Sequence, residues 1–339
     1  MAYIILNKQH FFNNLDIIAQ RSKGKDKIAL VLKDNAYGHG LREMAVMAQE
    51  YGISKAVVRS YDEAKEIEEF FEYILVLADT PQSENEKIRY TINDLSSISK
   101  FKRDTKVELK VNTGMNRNGI EMGELQEAFA LIKKQGLRLE AVFTHHSCAD
   151  EDKCIFALQN KNFTQVKKEA DILADRFGMQ KLRFHSANSA ALFESDDFSE
   201  DMARVGIAAY GCLELCGNVD AEALKPVLSL YAKRNSMRHL NKGASVGYGA
   251  SYTSLSECEV GNYDFGYGDG FLRACSRGYK TPEGVELLGR ISMDNSSFLS
   301  TKEELLIFDD AREVATAAGS ISYEILTSLK PYLKREILE

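Results

Sequence analysis

No charge-free apolar run approaches the roughly 20 residues that a helix needs to cross a bilayer, so no membrane-spanning helix is expected. The opening stretch, MAYIILNKQHFFNN, lacks the basic region, apolar core and small-residue cleavage site of a secretory signal. A cytoplasmic protein is therefore expected. A basic stripe is also missing. Lys and Arg number 43 against 50 Asp and Glu, for a net charge of −7, so a nucleic-acid role has no support. Six cysteines occur, at 148, 154, 212, 216, 258 and 275, but none forms a CxxC pair and no histidine follows at zinc-finger spacing. They read as free thiols of a reducing compartment, and no ligand cluster points to a metal. Internal repeats and low-complexity linkers are absent as well.

What is present is the composition of a globular protein, 44% hydrophobic and 27% charged over 339 residues. That length exceeds one ordinary core. Over the first two-thirds, short apolar runs at 28–32, 56–58, 73–77, 107–111, 139–144 and 182–185 alternate with amphipathic segments. In the segments 41–51, 61–71, 121–134 and 154–177, apolar residues recur every three or four positions, the mark of a helix with one buried face. Such alternation predicts parallel strands joined by helical crossovers. About eight such units fit before Gly211, which predicts an N-terminal (β/α)8 TIM-type barrel over residues 1–220. Beyond Leu215 the helical periodicity fades. Strand-like runs at 227–233, 245–252, 257–265, 285–291 and 304–308, with dense glycine, predict a smaller β-rich C-terminal domain over 221–339.

The first candidate for chemistry is Lys33. The apolar run before it ends in this amine, and the chain then turns through Gly38 and Gly40 into a helix. On a barrel, that places a lysine at the carboxyl end of a strand, the face where active sites are built. An amine there can condense with an aldehyde cofactor. Taken alone, the same lysine reads more readily as a solvated strand cap.

The stretch Lys33-Asp34-Asn35-Ala36-Tyr37-Gly38-His39-Gly40 resembles the cofactor-lysine motif of the alanine racemase family, with Asp34 in place of the usual alanine. The resemblance recurs in order along the chain, at 109–117, 143–151, 185–190, 204–211, 246–253, 266–270 and 289–294. It implies pyridoxal 5'-phosphate as cofactor and racemisation of alanine, supplying D-alanine for peptidoglycan. It also implies a head-to-tail homodimer whose active sites are shared. Racemisation needs a proton removed from one face of a planar carbanion and returned to the other, so two acid/base groups are the economical solution. The resemblance gives Lys33 one face and Tyr248 the other, with Tyr248 supported by His145 and Arg204.

Further roles follow from the same resemblance. Arg204 contacts the cofactor's ring nitrogen, and being unable to accept a proton it keeps that ring neutral. Tyr37, Asn188, Ser189, Gly206 and Ile207 hold the phosphate side. Arg117 contacts the cofactor's ring oxygen and, with the Met293 backbone, holds the substrate carboxylate, and Lys110 matches a lysine that many members carry carbamylated. Tyr267, Arg273 and Arg290 line the entry corridor. One departure stands near the C-terminus, where Pro331 falls on the position of a phosphate-binding tyrosine and Tyr332 follows one residue later. Either the loop shifts by one residue and Tyr332 substitutes, or the phosphate has one contact fewer. Asn112 stands where the family usually has aspartate. A barrel-type decarboxylase, a non-enzymatic cofactor carrier and a racemase of another amino acid such as serine remain as alternatives.

Overall fold

The computed structural model describes residues 2–83, 85–215 and 223–339. The chain opens with strand β1 (Tyr3–Asn7) and the helix Lys8–Ser22, where the Asn7 side chain accepts the His10 N–H at 2.9 Å as an N-cap. Eight strands then run parallel. They are β2 (Ile28–Val31), β3 (Lys55–Val58), β4 (Tyr73–Val76), β5 (Ile88–Ile92), β6 (Lys106–Asn112), β7 (Arg138–Phe143), β8 (Arg183–His185) and β9 (Ala203–Val205). Their spatial order is β9-β2-β3-β4-β5-β6-β7-β8. The Arg204 N–H donates to the Ala187 carbonyl at 2.9 Å and draws β9 towards the end of β8, nearly closing the barrel. The predicted TIM-type barrel is the one found.

Every residue of β2 and β4 is buried, as expected for parallel strands covered on both faces. The outer layer shows the opposite pattern. In Leu125–Gln135, Leu125, Ala128, Phe129 and Ile132 are buried at helical spacing, and the helix ends on left-handed Gly136. Two barrel strands, β5 and β9, were not among the predicted runs. Arg89 breaks the apolar pattern of the first, and the second has only three residues. Among the described residues, no α-helix follows β4 or β5. A loop and the 3-10 segment Leu95–Lys100 make those crossovers.

The C-terminal region is β-rich, as predicted. Its strands are β10 (Leu228–Leu240), β11 (Cys258–Tyr263), β12 (Leu287–Leu288), β13 (Ser296–Phe298), β14 (Glu304–Phe308) and β15 (Lys334–Leu338). The sheet order is β12-β13-β11-β10-β1-β15, with β14 also paired to β10. β1 thus sits in this sheet and not in the barrel, antiparallel to β10 and parallel to β15. The expected boundary between 220 and 221, like Cys216, lies outside the described residues. The other five cysteines are unpaired. No helix among the described residues is long and apolar enough to cross a membrane.

Candidate active site

β2 delivers Lys33 to the carboxyl end of the barrel, and the next turn is unusual. Asp34, Asn35, Ala36 and Tyr37 have φ of +55°, +55°, +50° and +50°. For L-residues this left-handed region costs roughly 1–2 kcal/mol each. Specific contacts hold it. The Asp34 N–H donates to Glu63 Oε1 at 2.7 Å, Asn35 Oδ1 accepts the Leu41 N–H at 2.9 Å, and Arg335 Nη2 donates to the Gly38 carbonyl at 2.8 Å. Strain so well supported marks a functional turn. Its result is that Lys33 and Tyr37 both line one cavity of about 780 Å³ at the carboxyl ends of the barrel strands.

The same cavity is lined by Lys110, Arg117, His145 and Arg204 on one side. Asn188, Ser189, Gly206 and Ile207 line another part. The sequence reading therefore converges on a single chamber for its barrel residues. Lys33 Nζ pairs with Asp34 Oδ2 at 3.0 Å. Lys110 is buried, and burial followed by the charges of Arg117 and Arg204 lowers its amine to a pKa of about 8. Burial, then Arg204, Lys110 and Arg117, hold the His145 pKa well below its usual value, so this imidazole is neutral near pH 7. Arg204 is drawn down to about 10 by burial and stays a cation. Its Nη2 lies 3.4 Å from His145 Nδ1.

The cavity also offers an anion cradle. Asn188 caps the short helix Ser189–Phe193 by accepting the Ala191 N–H at 2.8 Å, which fixes Ser189. Ser189 Oγ accepts the N–H groups of Gly206 and Ala208 at 3.2 and 3.3 Å. A Cβ on Gly206 would lie 2.8 Å from Tyr37 Oη, so only glycine leaves this approach open. Burial pushes the Tyr37 phenol up and keeps it a donor. Replacing Gly206 with Ala forces that contact at a cost of about 1–3 kcal/mol. Affinity of this cradle for a phosphate group is expected to fall about 10-fold or more, read by titrating the protein with inorganic phosphate in a calorimeter.

Tyr248, Tyr267, Met293 and Tyr332 do not reach this cavity within one chain. All four are exposed, by 65%, 42%, 56% and 61%. Three of them sit together. The N–H groups of Tyr267 and Gly268 donate to the Ser292 and Met293 carbonyls, and Tyr332 Oη donates to Asp269 Oδ1 at 2.8 Å. A Cβ on Gly266 would lie 2.2 Å from the Met293 carbonyl oxygen, so glycine lets these two loops stack. Tyr248 stands in a 3-10 turn between the paired segments Ser245–Val246 and Tyr252–Thr253.

The cavity wall that the sequence reading missed comes from the helix Ser322–Ser328. Tyr323, Glu324 and Thr327 line the chamber, and the Tyr323 ring lies 5.7 Å from that of Tyr37. Tyr323, not Tyr332, is therefore the C-terminal tyrosine beside the cradle. Only its position three residues before a leucine pair of helical spacing marked it in the sequence, a weak signal.

Comparison with known proteins is consistent along the whole chain. The family model for the alanine racemase N-terminal domain matches residues 6–214, and that for the C-terminal domain matches 227–337. Alanine racemase from a Nitratiruptor species is 43% identical over 335 residues, covering 99% of each chain. The alanine racemase of Campylobacter concisus is 42% identical, with 100% of each covered. Among solved structures, alanine racemase from Clostridium difficile 630 superposes with a TM-score of 0.89 at 27% identity, covering 100% of this chain and 96% of that one. The Bacillus anthracis alanine racemase with bound L-Ala-P gives 0.87 at 26% identity, covering 100% and 95%. On its sequence, its barrel and its second domain together, this chain belongs to the alanine racemase family.

Proposed function

We propose that this protein interconverts L- and D-alanine, using pyridoxal 5'-phosphate attached at Lys33, and so supplies D-alanine for peptidoglycan in the cytoplasm. The observation that carries the reading is the chamber itself, where Lys33, the Tyr37–Ser189–Gly206 cradle and a buried arginine meet. The donor set fits the cofactor: a primary amine for the aldehyde, hydroxyls and backbone N–H groups for the phosphate, and Arg204 for the ring nitrogen. When bound, the cofactor supplies the electron sink that makes an α-proton removable.

The chain's own groups divide the remaining work. Lys33 Nζ takes or returns the proton on one face of the substrate, and the Tyr248 hydroxyl of a second subunit serves the other. The Arg204 guanidinium only donates and does not give up its proton, so a protonated ring nitrogen would face it N–H to N–H; this keeps the ring nitrogen bare and limits side reactions. Ser189, Gly206, Ile207 and Tyr37 hold the phosphate, while Asn188 keeps Ser189 in place. Arg117 and the Met293 N–H orient the substrate carboxylate. Tyr267, Tyr332, Arg273 and Arg290 form the entry surface. Exposure of Tyr248, Tyr267 and Met293 supports a homodimer in which this face of one subunit covers the chamber of its partner. The division into a barrel of about 220 residues and a β-rich remainder belongs to the same reading.

An absorbance spectrum before and after borohydride, with alanine racemisation assayed on the same sample, tests this directly. A visible band lost on reduction together with D-alanine formation supports the proposal. A band without racemisation of alanine favours another amino acid, and no band after adding the cofactor overturns the role of Lys33.

Lys110 supports a further expectation. An amine of pKa about 8 between two arginines is partly neutral near neutral pH and can add carbon dioxide, turning a repelled cation into a partner for Arg117. Without carbon dioxide, the folded state binds fewer protons than the unfolded state between about pH 8 and 10.5, so this group makes stability rise with pH across that window. Thermal melts should show the rise in bicarbonate-free buffer. Added bicarbonate at pH 8 should stabilise the wild type and leave Lys110→Ala unmoved. Equal responses would exclude the carbamate.

A further inference from the structure

Behind the chamber wall lies a buried charged cluster that the reaction as described does not use. Glu108 on β6 is fully buried. Its Oε1 accepts Tyr73 Oη at 2.6 Å and Arg183 Nη2 at 2.9 Å, and its Oε2 lies 2.8 Å from His185 Nε2. His185, also fully buried, presents Nδ1 to Arg204 Nη1 at 2.6 Å. A continuous path therefore runs from Tyr73 and Arg183 through Glu108 and His185 to Arg204.

We infer that Glu108 is a positioning residue for Arg204, fixing the His185 tautomer that accepts the guanidinium and so selecting which arginine donor remains for the chamber. The inference rests on the reading of Arg204 as the group facing the cofactor ring. An arginine N–H can only donate, so at 2.6 Å the His185 Nδ1 must carry its lone pair. A neutral imidazole has one proton, which then sits on Nε2 and points at Glu108. The opposite tautomer would set N–H against N–H at Arg204 and a lone pair against a carboxylate at Glu108. An imidazolium would repeat the first clash. Burial also pulls the His185 pKa down, in agreement with a neutral ring. Burial alone would push the Glu108 carboxyl up. The hydrogen bonds from His185 and Tyr73 and the charge of Arg183 outweigh it and keep the carboxylate ionised.

The consequence for Arg204 is geometric. Nη1 is held by His185 Nδ1 and, at 3.3 Å, by the His185 carbonyl. Nη2 donates to the Thr144 and Ser186 carbonyls at 2.7 and 3.1 Å. Both terminal nitrogens are thus committed to protein. Among the described residues the Nε–H has no partner, and it is the donor left for a ring nitrogen. Without a lone pair at His185 Nδ1, Nη1 loses its shortest contact and the guanidinium plane is free to turn.

The test is nitrogen NMR of apoprotein labelled with 15N-histidine, with His185 identified by a His185→Asn sample. The wild type should show a protonated Nε2 and a bare Nδ1. In Glu108→Gln the amide oxygen can still accept Nε2–H, so that tautomer should persist and turnover should fall only slightly. In Glu108→Leu the buried Nε2–H has no acceptor, so the ring should turn out of its contact with Arg204, the bare-Nδ1 signature should be lost and kcat should drop about 10–100-fold, the usual cost of losing an orienting partner, with KM changed less than about 3-fold. The visible band of the loaded Glu108→Leu enzyme should shift as well. A wild-type proton on Nδ1, or a Glu108→Leu protein with the original tautomer and kcat, overturns the inference. Should Glu108→Leu fail to fold, the wild-type tautomer and the Glu108→Gln kinetics decide it. Absence of a visible band in the loaded wild type would instead overturn the cofactor reading, a separate result from the apoprotein spectrum.

Discussion

Equal mixing of Lys33→Ala and Tyr248→Phe proteins restores about a quarter of wild-type activity once their subunits reassort at random. Tyr248→Phe alone is expected to lose about 10²–10⁴-fold, the range for removing a positioned acid or base, and Lys33→Ala alone at least as much. Recovery follows from where the two residues sit. Lys33 lines the chamber, whereas Tyr248 stands exposed in a turn of the second region. In a mixed dimer with shared sites, one site carries both substitutions and the other carries neither. Half of the dimers are mixed, and half of their sites are intact. The assay is racemisation after mild dissociation and reassociation of the two proteins. No recovery, with mixed dimers confirmed by mass spectrometry, would mean that Lys33 and Tyr248 serve a site within one chain.

Lys33→Ala has a second and larger consequence. Besides losing one base, it removes the only amine in the chamber that follows directly from a barrel strand into the strained turn, and turnover should fall by at least about 10⁴-fold. Borohydride should then leave no cofactor mass on the protein. Tyr248→Phe should keep that mass while exchange of the α-proton becomes unequal for the two enantiomers. A reducible adduct that survives in Lys33→Ala would point to Lys110, the other chamber lysine, whose lowered pKa makes it the next nucleophile.

The barrel and the residues that line its chamber were legible in the sequence at the strand ends. Lys33 and His145 each follow an apolar run, Arg204 sits within a short one, and the fold gathers strand ends into one place. Strand β1 was not legible, because YIILN carries no sign that its partners lie more than 200 residues away. The left-handed turn at 34–37 was hidden as well, since none of its residues is glycine and its stability comes from Glu63 and Arg335. Glu108 reads locally as a charge spoiling an apolar strand. Its meaning appears only when Tyr73, Arg183 and His185 arrive from other strands. Tyr332 and Tyr323 differ in the same way, because sequence counting ranks positions whereas the chamber is lined by whichever helix packs over it.

The placement of β1 between β10 and β15 also sets an order of events during synthesis. The strand leaves the ribosome before the barrel, yet its antiparallel partner follows only after the entire barrel, and its parallel partner, pairing Tyr3 with Lys334, follows later still. Until then its backbone N–H and C=O groups are an open edge able to pair with a neighbouring nascent chain. A prematurely terminated copy lacking β15 would keep that edge permanently, so incomplete products should aggregate or be degraded even when their barrels are fully formed.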